Sequence, residues 1–134
     1  MEILENVLSI EKIKYLKELG VNTGNASMTW MLYPYEEGKQ PQLSLREWRT
    51  FKEPFRKEHC IPAFTLLDIL ELLPKEIETG TDTYWITMYF SDNCWHICYS
   101  MSDEFDYYQE FSSYSLIDAS YEMLCWCVEE RLIP

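Results

Sequence analysis

Apolar and polar positions follow two different periods along this chain. Near the start, Ile10, Ile13, Leu16 and Leu19 recur at intervals of three, which places one apolar stripe along a helix. Ser9 precedes the stripe as an N-cap and Glu11 sits in the first turn. Gly20 follows as a left-handed stop onto which Val21 folds back. This pattern predicts a helix over 9–19. FTLLDILELLP predicts another over 65–73, with Thr65 and Asp68 at capping-box spacing and Pro74 as terminator. Only Asp68 and Glu71 interrupt its apolar surface, so it is expected in the interior. The last helix is predicted over 115–131, where Ser115 and Asp118 repeat the capping spacing. Ile117, Tyr121, Leu124 and Val128 form its apolar face, and Asp118, Glu122, Cys125 and Glu129 its polar side.

Between these helices the period falls to two. TYWITMYFSDNCWHICYS predicts a hairpin over 83–100. A two-residue turn at Asp92-Asn93 pairs Phe90 with Trp95, Met88 with Ile97 and Ile86 with Tyr99, so all six lie on one face. Trp85, Thr87, Tyr89, His96 and Cys98 lie on the other. The apolar face is expected to be covered by the leucine-rich and carboxy-terminal helices. FDYYQEF supplies a third strand over 105–111. Ser44 and Glu47 have capping spacing, with Trp48, Phe51 and Phe55 on one face and Arg46, Arg49 and Lys52 turned away. That predicts a further helix within 44–55, ended or kinked by Pro54. Met28 to Tyr33 has the composition of a short strand with imperfect alternation, and residues 1–8 and 34–43 carry no decisive pattern. The order of elements implies an α+β fold: a small antiparallel sheet, hairpin 83–100 plus strand 105–111, packed against helices 9–19, 65–73 and 115–131, in a single domain over 1–134.

Composition narrows the possible functions. The chain has 134 residues, 47% of them hydrophobic, enough to bury one core. The longest apolar runs fall far short of the roughly 18–20 residues of a membrane span. Glu2 and Glu5 follow Met1 where a secretory signal would be basic and then apolar. Five cysteines without an export signal are expected to be reduced thiols. A cytoplasmic protein follows. Net charge is −12 and unevenly placed: residues 63–134 carry two basic and fourteen acidic side chains. Such a balance disfavours nucleic acid and anionic membrane as partners and suits a basic protein partner.

The candidate chemistry is sparse. Cys94, His96 and Cys98 alternate along a strand and so project to one side. Alternate ligands stand about 6.6 Å apart along a strand, whereas tetrahedral zinc prefers the tighter Cys-x-x-Cys loop and a fourth ligand. Partly buried thiols and an edge histidine are favoured over a metal site or a thiol–imidazole nucleophile. Glycine-rich phosphate loops and a nucleophile elbow are missing, so neither a cofactor nor a catalytic residue is expected. Asp103, Glu104, Asp106, Tyr108 and Glu110 form the candidate interaction surface: carboxylates speed encounter and aromatics supply contact area. Arg46, Arg49, Lys52, Arg56 and Lys57 make the lone basic segment.

LSIEKIKYLKELGVNTGNASMTW, IPAFTLLDILELLP and SLIDASYEMLCWCVEE, in that order, resemble a family of small proteins encoded on phages and other mobile elements of gut bacteria. The resemblance covers roughly half to two-thirds of the chain; residues 35–58 are particular to this protein. Ser27 stands where an aspartate is common in the family. The shared motifs are packing and capping patterns, and no activity is implied by them. The combined expectation is a non-enzymatic protein acting through protein–protein contact. The alternatives are an acidic nucleic-acid mimic acting on a host factor, and a metal-binding or thiol-dependent enzyme.

Overall fold

The computed structural model describes residues 6–32, 40–101 and 107–133. Its class is α+β, with two antiparallel sheets where the sequence suggests one. The chain forms two compact units, residues 1–68 and 69–134.

In the first unit, α1 (Ile10–Glu18) is capped as its sequence predicts. Ser9 Oγ accepts from Lys12 N at 3.3 Å. Gly20, at φ 94°, allows Val21 N to donate to Leu16 O and Gly20 N to Lys17 O, at 2.9 and 3.0 Å, the paired bonds of a Schellman stop. Ile13 and Leu16 are buried. Strands β1 (Met28–Met31), β2 (Gln42–Ser44) and β3 (Cys60–Ala63) form a sheet in the order β2-β1-β3. β1 is the expected strand, shortened. β3 was not expected, because four residues containing Pro62 carry little strand signal; Pro62 is accommodated because β3 is an edge. Val7, Met28, Trp30 and Ala63 pack together, with Leu43 and Ile61 beside them.

The helix expected from Ser44 to Phe55 does not form. Ser44 ends β2, a 3-10 turn covers Trp48–Thr50, and α2 (Phe55–His59) begins where the helix was to end. Ser44 Oγ accepts from Arg46 N at 3.2 Å, two residues on, and Glu47 is extended at ψ 136°. The serine hydroxyl thus stabilises a turn, which competes with helix for this residue type. Pro54 precedes the first turn of α2, where its missing N–H costs nothing. Arg46, expected to point away, lies over the Phe51 ring at 4.4 Å.

The short helix α3 (Leu66–Leu72) has the expected capping box: Asp68 N donates to Thr65 Oγ1 at 3.2 Å and Thr65 N to Asp68 Oδ2 at 2.9 Å. Its burial is not the expected one. Leu67 is 62% exposed and Asp68 only 8%. Asp68 is also the acceptor for Ser27 N at 3.0 Å and for the Ser27 hydroxyl, and those bonds make its burial tolerable.

The second unit holds β4 (Glu76–Glu78), β5 (Thr83–Ser91), β6 (Cys94–Ser100) and β7 (Tyr107–Ser113), ordered as in sequence. The β5–β6 register is the expected one: Phe90↔Trp95, Met88↔Ile97, Ile86↔Tyr99. Asp92 and Asn93 both have positive φ, 53° and 62°, as a two-residue type I′ turn requires. The third strand runs past the expected end at 111, to Ser113; residues 105 and 106 fall outside the described residues. A register shift between Tyr99 and Ser100 leaves Tyr108 as an extra residue opposite them, a bulge.

α4 (Leu116–Glu129) lies against β6 and β7. Ser115 Oγ accepts from Asp118 N at 3.4 Å. Cys125, assigned by period to the polar side, is 9% exposed and belongs with buried Met123, Leu124 and Cys127. The hairpin's apolar face is covered along only part of its length. Ile97 and Tyr99 are fully buried, whereas Met88, Phe90 and Trp95 are 41, 56 and 36% exposed.

Candidate functional site

The alternation of β5, β6 and β7 sorts the four-stranded sheet into two faces. On the face away from α4, His96 occupies the centre. Its ring stacks on Tyr89 at 4.6 Å between centroids. His96 Nε2 lies 3.1 Å from both Ser91 Oγ and Ser91 O, and Nδ1 lies 2.6 Å from Ser112 Oγ. A carbonyl only accepts, so Nε2 carries a proton and donates to Ser91 O. Glu110 Oε1 is 3.6 Å from Nδ1, while Oε2 accepts from Tyr89 OH at 2.8 Å. The Tyr107 hydroxyl, burial and the Glu110 carboxylate together push the Tyr89 phenol far above its ordinary value.

This arrangement settles how CWHIC is used structurally. His96 spends both ring nitrogens within the sheet. Cys98 is fully buried, and burial pushes its thiol pKa up, with Glu110 adding to the effect and Ser100 opposing it; thiolate, the nucleophilic and metal-binding form, is disfavoured there. Cys94 is half-buried beside the turn. None of the five cysteines is in a disulfide, and among the described residues no three His, Cys, Asp or Glu side chains are placed to hold a metal ion. Cys127, on α4, donates from Sγ to Tyr99 OH at 3.9 Å, and burial pushes its pKa up to about 11, with the Tyr99 contact opposing the rise. Tyr99 OH donates to Pro74 O at 2.7 Å.

Of the proposed interaction surface, Asp103, Glu104 and Asp106 fall outside the described residues. Tyr108 and Glu110 are placed on opposite faces. The Tyr108 ring packs on the α4 side against Tyr84 and Trp126, with centroids 5.1 and 5.8 Å away. Glu110 lies with His96 and Tyr89. The bulge that sets Tyr108 aside breaks the simple alternation on which a shared surface would depend.

Sequence reasoning missed a different surface. Phe90 and Trp95 pack edge to face at 5.2 Å at the distal end of the hairpin, with Met88 beside them on the same face, all three exposed. A length argument gives the signal. The nine residues of β5 span ~30 Å, and the fourteen of α4 only ~21 Å. The helix cannot cover the whole ribbon.

The architecture is thus an α+β arrangement of a three-stranded and a four-stranded antiparallel sheet with short helices, and none of the described helices is long and apolar enough to cross a membrane. No protein-family model matches the chain, and no curated protein or solved structure matches it at a significant level.

Proposed function

We propose that this protein is non-enzymatic and acts by binding a basic protein partner through the distal end of the β5–β6 hairpin. The supporting observation is the exposed Met88–Phe90–Trp95 cluster on a unit whose residues 69–134 carry thirteen acidic and two basic side chains. Aromatic anchors supply desolvated contact area, and the surrounding negative field speeds encounter with a cationic partner. His96 and the buried thiols are committed to structure, which supports a binding role over a catalytic one. We further propose a cytoplasmic, phage or mobile-element setting in which the partner is a host factor. A basic nuclease or regulator fits that charge, so imitation of nucleic acid is a special case of the same contact.

The test compares the full chain with a Phe90→Ala/Trp95→Ala variant as bait in host lysate, with quantitative mass spectrometry of bound proteins. Circular dichroism of the variant, compared with the parent's, establishes that it is folded. A basic protein captured by the parent, released by salt and lost by the variant is the expected result. Identical capture by both baits, or capture of acidic proteins alone, would refute the proposal.

A further inference from the structure

A cationic cleft in the first unit is a feature separate from the hairpin. In the first unit, α1 and the segment around α2 enclose an open cleft of about 300 Å³, at the lower end of the range for small-ligand sites. Lys14, Lys17, Arg56 and Lys57 line it against a single carboxylate, Glu53. That carboxylate is already bonded, Oε1 accepting from Arg56 Nη2 at 2.9 Å. A local excess of three positive charges therefore stands in a chain of net charge −12. Ile13, Ile61 and Pro62 add apolar lining.

Two N–H groups on lining residues are unused. Trp48 Nε1 and Arg56 Nε are both buried and make no hydrogen bond, although buried donors almost always find an acceptor. Arg56 is held in place, with its guanidinium 4.7 Å from the Trp48 ring centroid and Nη1 donating to Arg49 O at 3.2 Å. An ordered guanidinium with a spare donor is suited to phosphate oxygens.

We propose that this cleft binds a small phosphate monoester, with Lys14, Lys17, Lys57 and Arg56 neutralising the dianion, Trp48 Nε1 and Arg56 Nε supplying donors, and Ile13, Ile61 and Pro62 contacting the organic group. The cleft's size and the near balance of the first unit, ten acidic and nine basic side chains over residues 1–68, favour a small ligand over a polyanion.

Calorimetric titration of the full chain at low ionic strength tests this, with inorganic phosphate and phenyl phosphate as probes. Saturable one-to-one binding is expected, about tenfold tighter for phenyl phosphate because its ring buries apolar surface. Lys14→Gln/Lys17→Gln should weaken phenyl phosphate by about tenfold or more, and Lys52→Gln, outside the cleft, by less than about twofold. Trp48→Phe keeps the ring under Arg56 and removes only the N–H; it should weaken binding about threefold or more. Circular dichroism establishes that each variant is folded. Absence of saturation up to about 10 mM, equal losses from the Lys52 and Lys14/Lys17 variants, undiminished binding by Trp48→Phe, or tighter binding of a single-stranded oligonucleotide than of phenyl phosphate would overturn the proposal.

Discussion

The two units solve the problem of holding secondary structure in opposite ways. In residues 1–68 the strands are three or four residues long, so each ladder supplies few bonds. Side chains tie them instead to distant backbone: Trp30 Nε1 donates to Leu8 O at 3.0 Å, Thr29 Oγ1 to Arg46 O at 2.8 Å, and Ser27 N to Asp68 at 3.0 Å. In residues 69–134 the hairpin strands run nine and seven residues and α4 fourteen, and regular pairing with one helix covering does most of the work. The comparison teaches that shorter elements lean more on specific, non-local polar contacts. Even the helix stops differ. Both α1 and α4 end in Schellman bonds, but the left-handed position is Gly20 in one and Arg131, at φ 59°, in the other.

The largest expected effect lies in the second unit's core. Met123 is fully buried, and Met123→Ala should cost about 2–5 kcal/mol in urea denaturation followed by circular dichroism. Asp68→Ala is the corresponding test of the first unit. It strands Ser27 N, the Ser27 hydroxyl and Thr65 N, and should cost about 3 kcal/mol; a loss under about 1 kcal/mol would show that the polar ties are incidental. The third effect is pH-dependent. The Cys127 thiol rises from 9.0 in the unfolded chain to about 11 in the fold, so the folded state holds this proton more tightly. Its contribution is complete below pH 9 and is lost as pH climbs to 11, by about 2 kcal/mol. In urea titrations the stability of the parent relative to Cys127→Ala should fall by this amount across that window. The smallest pair has opposite signs. Gly20→Ala meets open space but a strained backbone and should destabilise by about 1 kcal/mol, while Arg131→Gly should stabilise by about as much. Melting temperatures moving the same way in both variants would show that the two stops are not equivalent.

Legibility followed the same division. In the second unit the hairpin register could be read because only one turn length placed Phe90, Trp95, Met88, Ile97, Ile86 and Tyr99 on one face. The caps at Ser9, Thr65 and Ser115 were legible because each is a local bond between residues three apart. The first unit's sheet was not legible beyond β1. Its partners β2 and β3 are too short to show a period, and the Ser44–Glu47 spacing that imitates a capping box serves a turn. Within the candidate site, the alternation of Cys94, His96 and Cys98 was plain, but the partners of His96 were not. Ser91 lies on β5 and Glu110 and Ser112 on β7, and nothing in the spacing of those two segments announces that they meet around His96.

The sequence by itself determined what depends on neighbours a few residues apart: helix stripes and their caps, the Asp92-Asn93 turn, the hairpin pairing, and the concentration of negative charge toward the carboxy-terminal end. Tertiary structure alone decided which of those surfaces are covered. It buried Asp68 and exposed Leu67, left Phe90 and Trp95 open, separated Tyr108 from Glu110 by one bulge, and gathered Lys14, Lys17, Arg56 and Lys57 around a cleft. Periodicity states which side of an element is apolar; the size and placement of whatever packs against that side decide how much of it meets water.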